Sequence, residues 1–87
     1  MIHILKTIPK YFDAQLNGAK PFEIRRHDRE FQVGDSLKLV EYQPDVTGEV
    51  RIVWKVITFI HTHEMFPEGL QHGYCVLGTR SDTEGGN

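Results

Sequence analysis

Cysteine is nearly absent. Cys75 is the single one in 87 residues, so no internal disulfide can form and the core must close by packing alone. That usage predicts a reducing, cytoplasmic setting. Long apolar runs are missing too. The longest, Ile52 to Ile60, is broken by Lys55 and falls far short of the roughly 20 residues a bilayer-spanning helix needs, so no membrane partner is expected. No basic segment followed by an apolar stretch opens the chain, and no secretory signal is expected. A dominant charge is also lacking. Ten Lys/Arg against 12 Asp/Glu give a formal charge of -2, which argues against the broad basic footprint of a general nucleic-acid binder. One domain is expected from these residues, and a large two-domain enzyme is not. What remains is an ordinary globular mixture, 39% hydrophobic and 25% charged.

The charge is unevenly spread. Residues 1–43 carry seven Lys/Arg and six Asp/Glu, whereas residues 44–87 carry three and six. Lys20, Arg25, Arg26 and Arg29 fall close together, interleaved with Glu23 and Asp28. Screening limits the reach of distant charge to about 8–10 Å, so this cluster can hold an anion even in an acidic protein.

Periodicity supplies the elements. Ile2 to Ile8 reads as a strand. Pro9 suits the first turn of a helix, because its missing N–H would have no partner there. Tyr11, Phe12 and Leu16 recur at helical spacing to 16, with Lys10, Asp13 and Gln15 on the polar side, and Gly18 is a good stop. Residues 21–27 alternate: Phe22 and Ile24 form an apolar face, Glu23 and Arg25 a charged one. Residues 28–35 read as a loop whose Phe31 and Val33 plug the core. Ser36 to Tyr42 is a third strand, 43–48 a turn, and Glu49 to Ile60 the longest strand, with Trp54 assigned to the core. A loop over 61–73 precedes a closing strand, 74–79. Residues 80–87 are expected to be a disordered tail, leaving 1–79 as the domain. One helix after the first strand, then strands only, makes an α+β protein. Its five strands can curl into a small, partly open β-barrel, and an open sheet covered by the helix is the competing α+β arrangement.

The segment Gly18-Ala19-Lys20-Pro21-Phe22-Glu23-Ile24-Arg25 is followed by Asp28-Arg29-Glu30-Phe31-Gln32-Val33-Gly34-Asp35. This stretch resembles the ASCH branch of the PUA-like superfamily, whose signature is Gly-x-Lys-x-x-Glu-x-Arg after the first helix. More closely, it resembles a small ASCH-type family of phage and bacterial proteins of unknown function. His3-Ile4-Leu5-Lys6, Tyr11-Phe12, Thr47-Gly48 and Gly73-Tyr74 extend the likeness over residues 3–79. The resemblance implies a PUA-like barrel with a cleft beside the helix, binding RNA or a modified nucleotide. The residues fit that expectation. Glu23 and Arg25 are two apart on one strand face, and Lys20 lies where the helix exits. Arginine offers a fork to phosphate, and glutamate accepts from an exocyclic amine. His3, Lys6 and Arg29 are placed at the margin. The alternative for the cluster is an internal salt-bridge network.

Two other functions compete. Some ASCH relatives resemble amidohydrolases of acylated cytidine, with a lysine, a threonine nucleophile, an arginine and a later glutamate. Lys20 and Arg25 match that pattern, making Lys20 and Glu23 the weak catalytic candidates. Glu23 occupies the threonine position, however, and Glu64 and Glu68 are candidates for the later glutamate by position alone. A protein-interaction module of phage origin is the other reading. His61, His63, Glu64, His72 and Cys75 hold metal-ligating atoms, but their spacing matches no structural zinc pattern. Surface histidines and an inert core thiol are expected instead, with no cofactor. Tyr42, Trp54 and Phe59 could stack on bases only from an exposed face, and Phe66 is the aromatic expected to be partly exposed.

Overall fold

The computed structural model describes residues 1–43 and 50–82. The elements are β1 (Ile2–Thr7), α1 (Pro9–Leu16), β2 (Phe22–Arg26), β3 (Ser36–Glu41), β4 (Ile52–Thr62), a 3-10 turn (His63–Met65) and β5 (Tyr74–Ser81). The strands form one mixed sheet in the order β1-β3-β4-β5-β2. β1 runs parallel to β3, and every other pair is antiparallel. The sheet curls into a half-barrel. Its edge strands, β1 and β2, are neighbours in space without pairing, and a side-chain bond from Arg25 Nη2 to Thr7 Oγ1 (3.0 Å) crosses between them. No helix among the described residues is long and apolar enough to cross a membrane.

Register decides which face each strand buries. Leu5 lies opposite Leu39 and His3 opposite Leu37, so β1 turns His3, Leu5 and Thr7 inward and leaves Ile2 and Ile4 exposed. β2 does the reverse of what its apolar pattern predicts. Glu23 is opposite Leu77 and Arg25 opposite Cys75, and both partners belong to the core. Glu23 is therefore 2% exposed while Ile24, opposite Val76, is 56% exposed. The core is a compact set: Leu5, Phe31, Leu37, Leu39, Ile57, Cys75 and Leu77. The three central strands supply most of its apolar atoms, and the edge strands supply polar ones.

Several expectations need correction. Trp54 is not in the core: it pairs with Lys38 on the outer face, with Lys38 Nζ 5.8 Å from its ring. Lys55, opposite Leu37, points inward instead. A bulge between Ile57 and Phe59 then resets the parity, so Phe59 is exposed although it shares Ile57's parity in sequence. Val33 is exposed rather than plugging the core, a role left to Phe31. α1 buries Phe12 and Gln15, while Tyr11 and Leu16 are exposed. A tail from residue 80 is also corrected: Arg80 and Ser81 pair with Val56 and Lys55 in β5. Residues 83–87 lie outside the described residues, as does most of the turn expected at 43–48.

Arg51 clamps the helix to the sheet. It reaches Asp13 of α1 (2.8 Å) and Glu41 of β3 (2.8 Å), and its guanidinium lies 4.7 Å from the centre of the Phe12 ring. The Arg51 bond holds the Glu41 carboxyl down to about 2, from an ordinary 4.5. Because the folded value is depressed, this interaction stabilises fully above pH 4.5 and fades as pH falls toward about 2. Asp35, held low chiefly by its hydrogen bond with His3, acts in the same direction. Stability to urea is expected to fall through that acid window. Glu41→Gln is expected to be less stable at neutral pH and to show a flatter acid-side decline. Urea midpoints measured across the window check this.

Candidate functional site

The site is built where the half-barrel stays open. Gly18 takes a left-handed φ of 83° just past the helix, a conformation that costs glycine little. The chain doubles back there, and the Lys20 amide donates to the Ala14 carbonyl (3.0 Å). Lys20 is thereby set at the mouth of the seam between β1 and β2. Its Nζ donates to the Phe22 carbonyl (2.9 Å) and to Glu23 Oε2 (3.0 Å).

Glu23 is the hub. Oε1 accepts from Arg25 Nε (3.0 Å) and Nη2 (2.8 Å), while Oε2 accepts from Lys20 Nζ and from Gln15 Nε2 (2.8 Å). A carboxylate offers about four lone-pair sites, and four donors occupy them. Gln15 itself is fully buried. It also donates to the Phe22 carbonyl and accepts from Thr79 Oγ1 (3.3 Å). The network thus runs from β5 through the helix to β2, and through Arg25 to Thr7 on β1. Neither Gln15 nor Thr7 was anticipated as part of a site. The available signal was the Phe12–Gln15 spacing, which puts both on one helical face.

Above this network lies a cavity of about 400 Å³, walled by Lys6, Thr7, Tyr11, Lys20, Glu23 and Arg25 with Ile8 and Ile24. Three cations and one carboxylate in that wall give 3 − 1 = +2. Tyr11 is exposed, and Lys20 Nζ sits 5.1 Å from its ring. Lys6 Nζ stands 5.0 Å from the Tyr42 ring. The seam therefore combines fixed positive charge with an accessible aromatic face.

The structure brings Lys6, Lys20, Glu23 and Arg25 together and places His3 and Arg29 elsewhere. His3 is buried at the far end of β1, where Nε2 meets Asp35 Oδ2 (2.8 Å) and the ring packs on Phe31 at 4.7 Å. Arg29 is paired with Asp28 (3.3 Å). Both His3 and Arg29 line a second cavity of about 560 Å³. Glu64 and Glu68 line neither cavity. His63 and His72 approach with ring centres 5.1 Å apart, and His63 Nδ1 hydrogen-bonds with the Leu70 carbonyl. Among the described residues no three His, Cys, Asp or Glu side chains gather as a metal site. Cys75 is buried, and burial pushes its thiol pKa up. Tyr42, Phe59 and Phe66 are exposed.

Residues 2–79 match the family described as Domain of unknown function (DUF3850). No curated protein matches the chain.

Proposed function

We propose that this chain, which belongs to the DUF3850 family, binds a nucleotide or single-stranded RNA in the seam between β1 and β2. The observation that carries this reading is the saturated Glu23. A carboxylate whose four acceptor sites are filled by protein donors has none left for a proton taken from water, so it serves to aim Lys20 and Arg25. Two aimed cations suit a phosphate, and Tyr11 offers a stacking face for a base. The same feature disfavours the hydrolytic alternative with Lys20 and Glu23 as a reacting pair. A helix following the first strand and a half-open sheet agree with the PUA-like likeness of the motif, and a PUA-like barrel is the finer fold reading. A protein partner is the second function, supported by Phe22, Ile24 and Phe59 exposed on the convex face.

Titration with a nucleoside monophosphate at low salt tests the site. Binding is expected to weaken about tenfold in Lys20→Ala, the loss of one charge-assisted contact, and to weaken further as salt rises. Absence of binding by the wild type, or unchanged binding in the variant, overturns the reading. Turnover of an acylated cytidine lost in Glu23→Gln would favour the hydrolytic alternative.

A further inference from the structure

The Lys20 cavity is one of three that follow the free edge of β1. The first meets β1 at Lys6 and Thr7, the next at Leu5, and the last at Ile2 and His3. Neighbouring cavities have a wall residue in common. Arg25 lines the first and second, and Arg29 lines the second and third. The volumes run about 400, 120 and 560 Å³, so a narrow waist lies between two larger hollows. Arg25, Arg26 and Arg29 wall that waist together with Asp28, giving 3 − 1 = +2.

We infer that the groove takes a single-stranded polynucleotide spanning at least one internucleotide linkage, with a phosphodiester in the arginine waist and a nucleoside in each hollow. The inference rests on the nucleotide reading of the Lys20 cavity and extends it to a second subsite, between Arg29 and the His3–Asp35 pair. The order of shapes matches the ligand's own order, and the cationic walls of the first hollow and of the waist suit two successive phosphates, the 5′-phosphate and the internucleotide linkage. A bulky unit, a compact anion and a second bulky unit follow one another along a strand of six residues, which is about 20 Å long. An extended peptide added to the β1 edge fits less well. Strand addition draws its affinity from main-chain partners, whereas the side chains lining the first hollow and the waist carry net positive charge. Exposed arginines beside a groove instead suit a backbone carrying one charge per unit.

The test compares a nucleoside monophosphate with a 5′-phosphorylated dinucleotide, in ribose and deoxyribose forms, by titration calorimetry at one low salt concentration. The dinucleotide is expected to bind about tenfold more tightly, the gain of one charge-assisted contact. Arg29→Ala is expected to remove that difference while leaving the monophosphate affinity unchanged. Arg29 is exposed, pairs with its neighbour Asp28 and lies 5.8 Å from the centre of the Phe31 ring, and a thermal melt checks that the variant folds. Arg29→Glu should cut dinucleotide affinity further. A preference confined to the ribose form identifies RNA, and one shared by both forms identifies single strands in general. Equal affinities for the two ligands, or a preference that survives both Arg29 variants, overturns the two-subsite groove and leaves the Lys20 site standing. If neither ligand binds, both readings fall, and binding of an acidic extended peptide in their place would assign the groove to a protein.

Discussion

Replacing Glu23 with alanine is expected to lower the free energy of unfolding by about 3 kcal/mol, the low end of what breaking a buried ion pair costs. The low end applies because Lys20 and Arg25 side chains keep 17% and 22% of their exposure, against 3% for Glu23. Four donors lose their acceptor at once, and one of them belongs to the fully buried Gln15. A domain of this length holds about 4–13 kcal/mol in total, so the loss is a large fraction of it. Glu23→Gln is expected to be nearly as harmful, since its NH2 group would face either the two Arg25 donors or those of Lys20 and Gln15, donor against donor in both orientations. The informative comparison is the triple variant Lys20→Met, Glu23→Leu, Arg25→Met. Well-packed apolar replacements of a buried charge cluster are often neutral or stabilising. The triple variant is therefore expected to recover most of the stability lost in Glu23→Ala while losing all nucleotide binding. Urea unfolding of the three proteins beside the wild type measures the first effect, and a titration the second. If the triple variant is as unstable as Glu23→Ala, the cluster is a structural network and the alternative raised by its sequence is the right one.

The elements themselves were legible. Pro9 and Gly18 mark the helix, and alternation finds each strand to within a few residues. What sequence could not fix was the inward face of the edge strands. In β2 the apolar Phe22 and Ile24 invite burial, but the register against β5 sets them opposite Gly78 and Val76 on the convex face. The parity of β5 is settled by Cys75 and Leu77 entering the core, a contact about fifty residues away along the chain. Local patterning carries no such information. Trp54 was misplaced for the same reason, and Phe59 because a bulge is invisible to a strict period of two. The candidate site fared differently. The spacing of Lys20, Glu23 and Arg25 predicted that these three side chains meet, and in the fold they do. Their roles were not visible: Glu23 reads in sequence as a ligand-facing acceptor, and in the fold its lone pairs are spent on Gln15, Lys20 and Arg25. His3 was assigned to the same cleft because it shares a strand with Lys6. Yet His3 faces the core and Lys6 the opposite side, as an odd spacing in a strand requires.

Phe12→Ala is expected to cost about 3–5 kcal/mol, the usual penalty for truncating a buried phenylalanine, and to weaken nucleotide binding although Phe12 does not line the cavity. Phe12 is 1% exposed, and it is absent from the cluster that holds the central strands together. Its ring instead lies beneath Arg51, whose guanidinium ties Asp13 of the helix to Glu41 of the sheet. The side chain therefore anchors α1, and α1 carries both Tyr11 and the Gly18 turn that delivers Lys20. Losing the anchor frees the helix end before it frees the sheet. Hydrogen exchange is expected to show this as protection lost first over α1 and residues 17–20, with the amides of β3, β4 and β5 retained. Binding measured at a temperature where the variant remains folded should then fall more than in Leu37→Ala, which removes a comparable core side chain from the central strands. If the two variants lose affinity equally, the effect is general destabilisation, and the helix is not what holds the cationic pair over the seam.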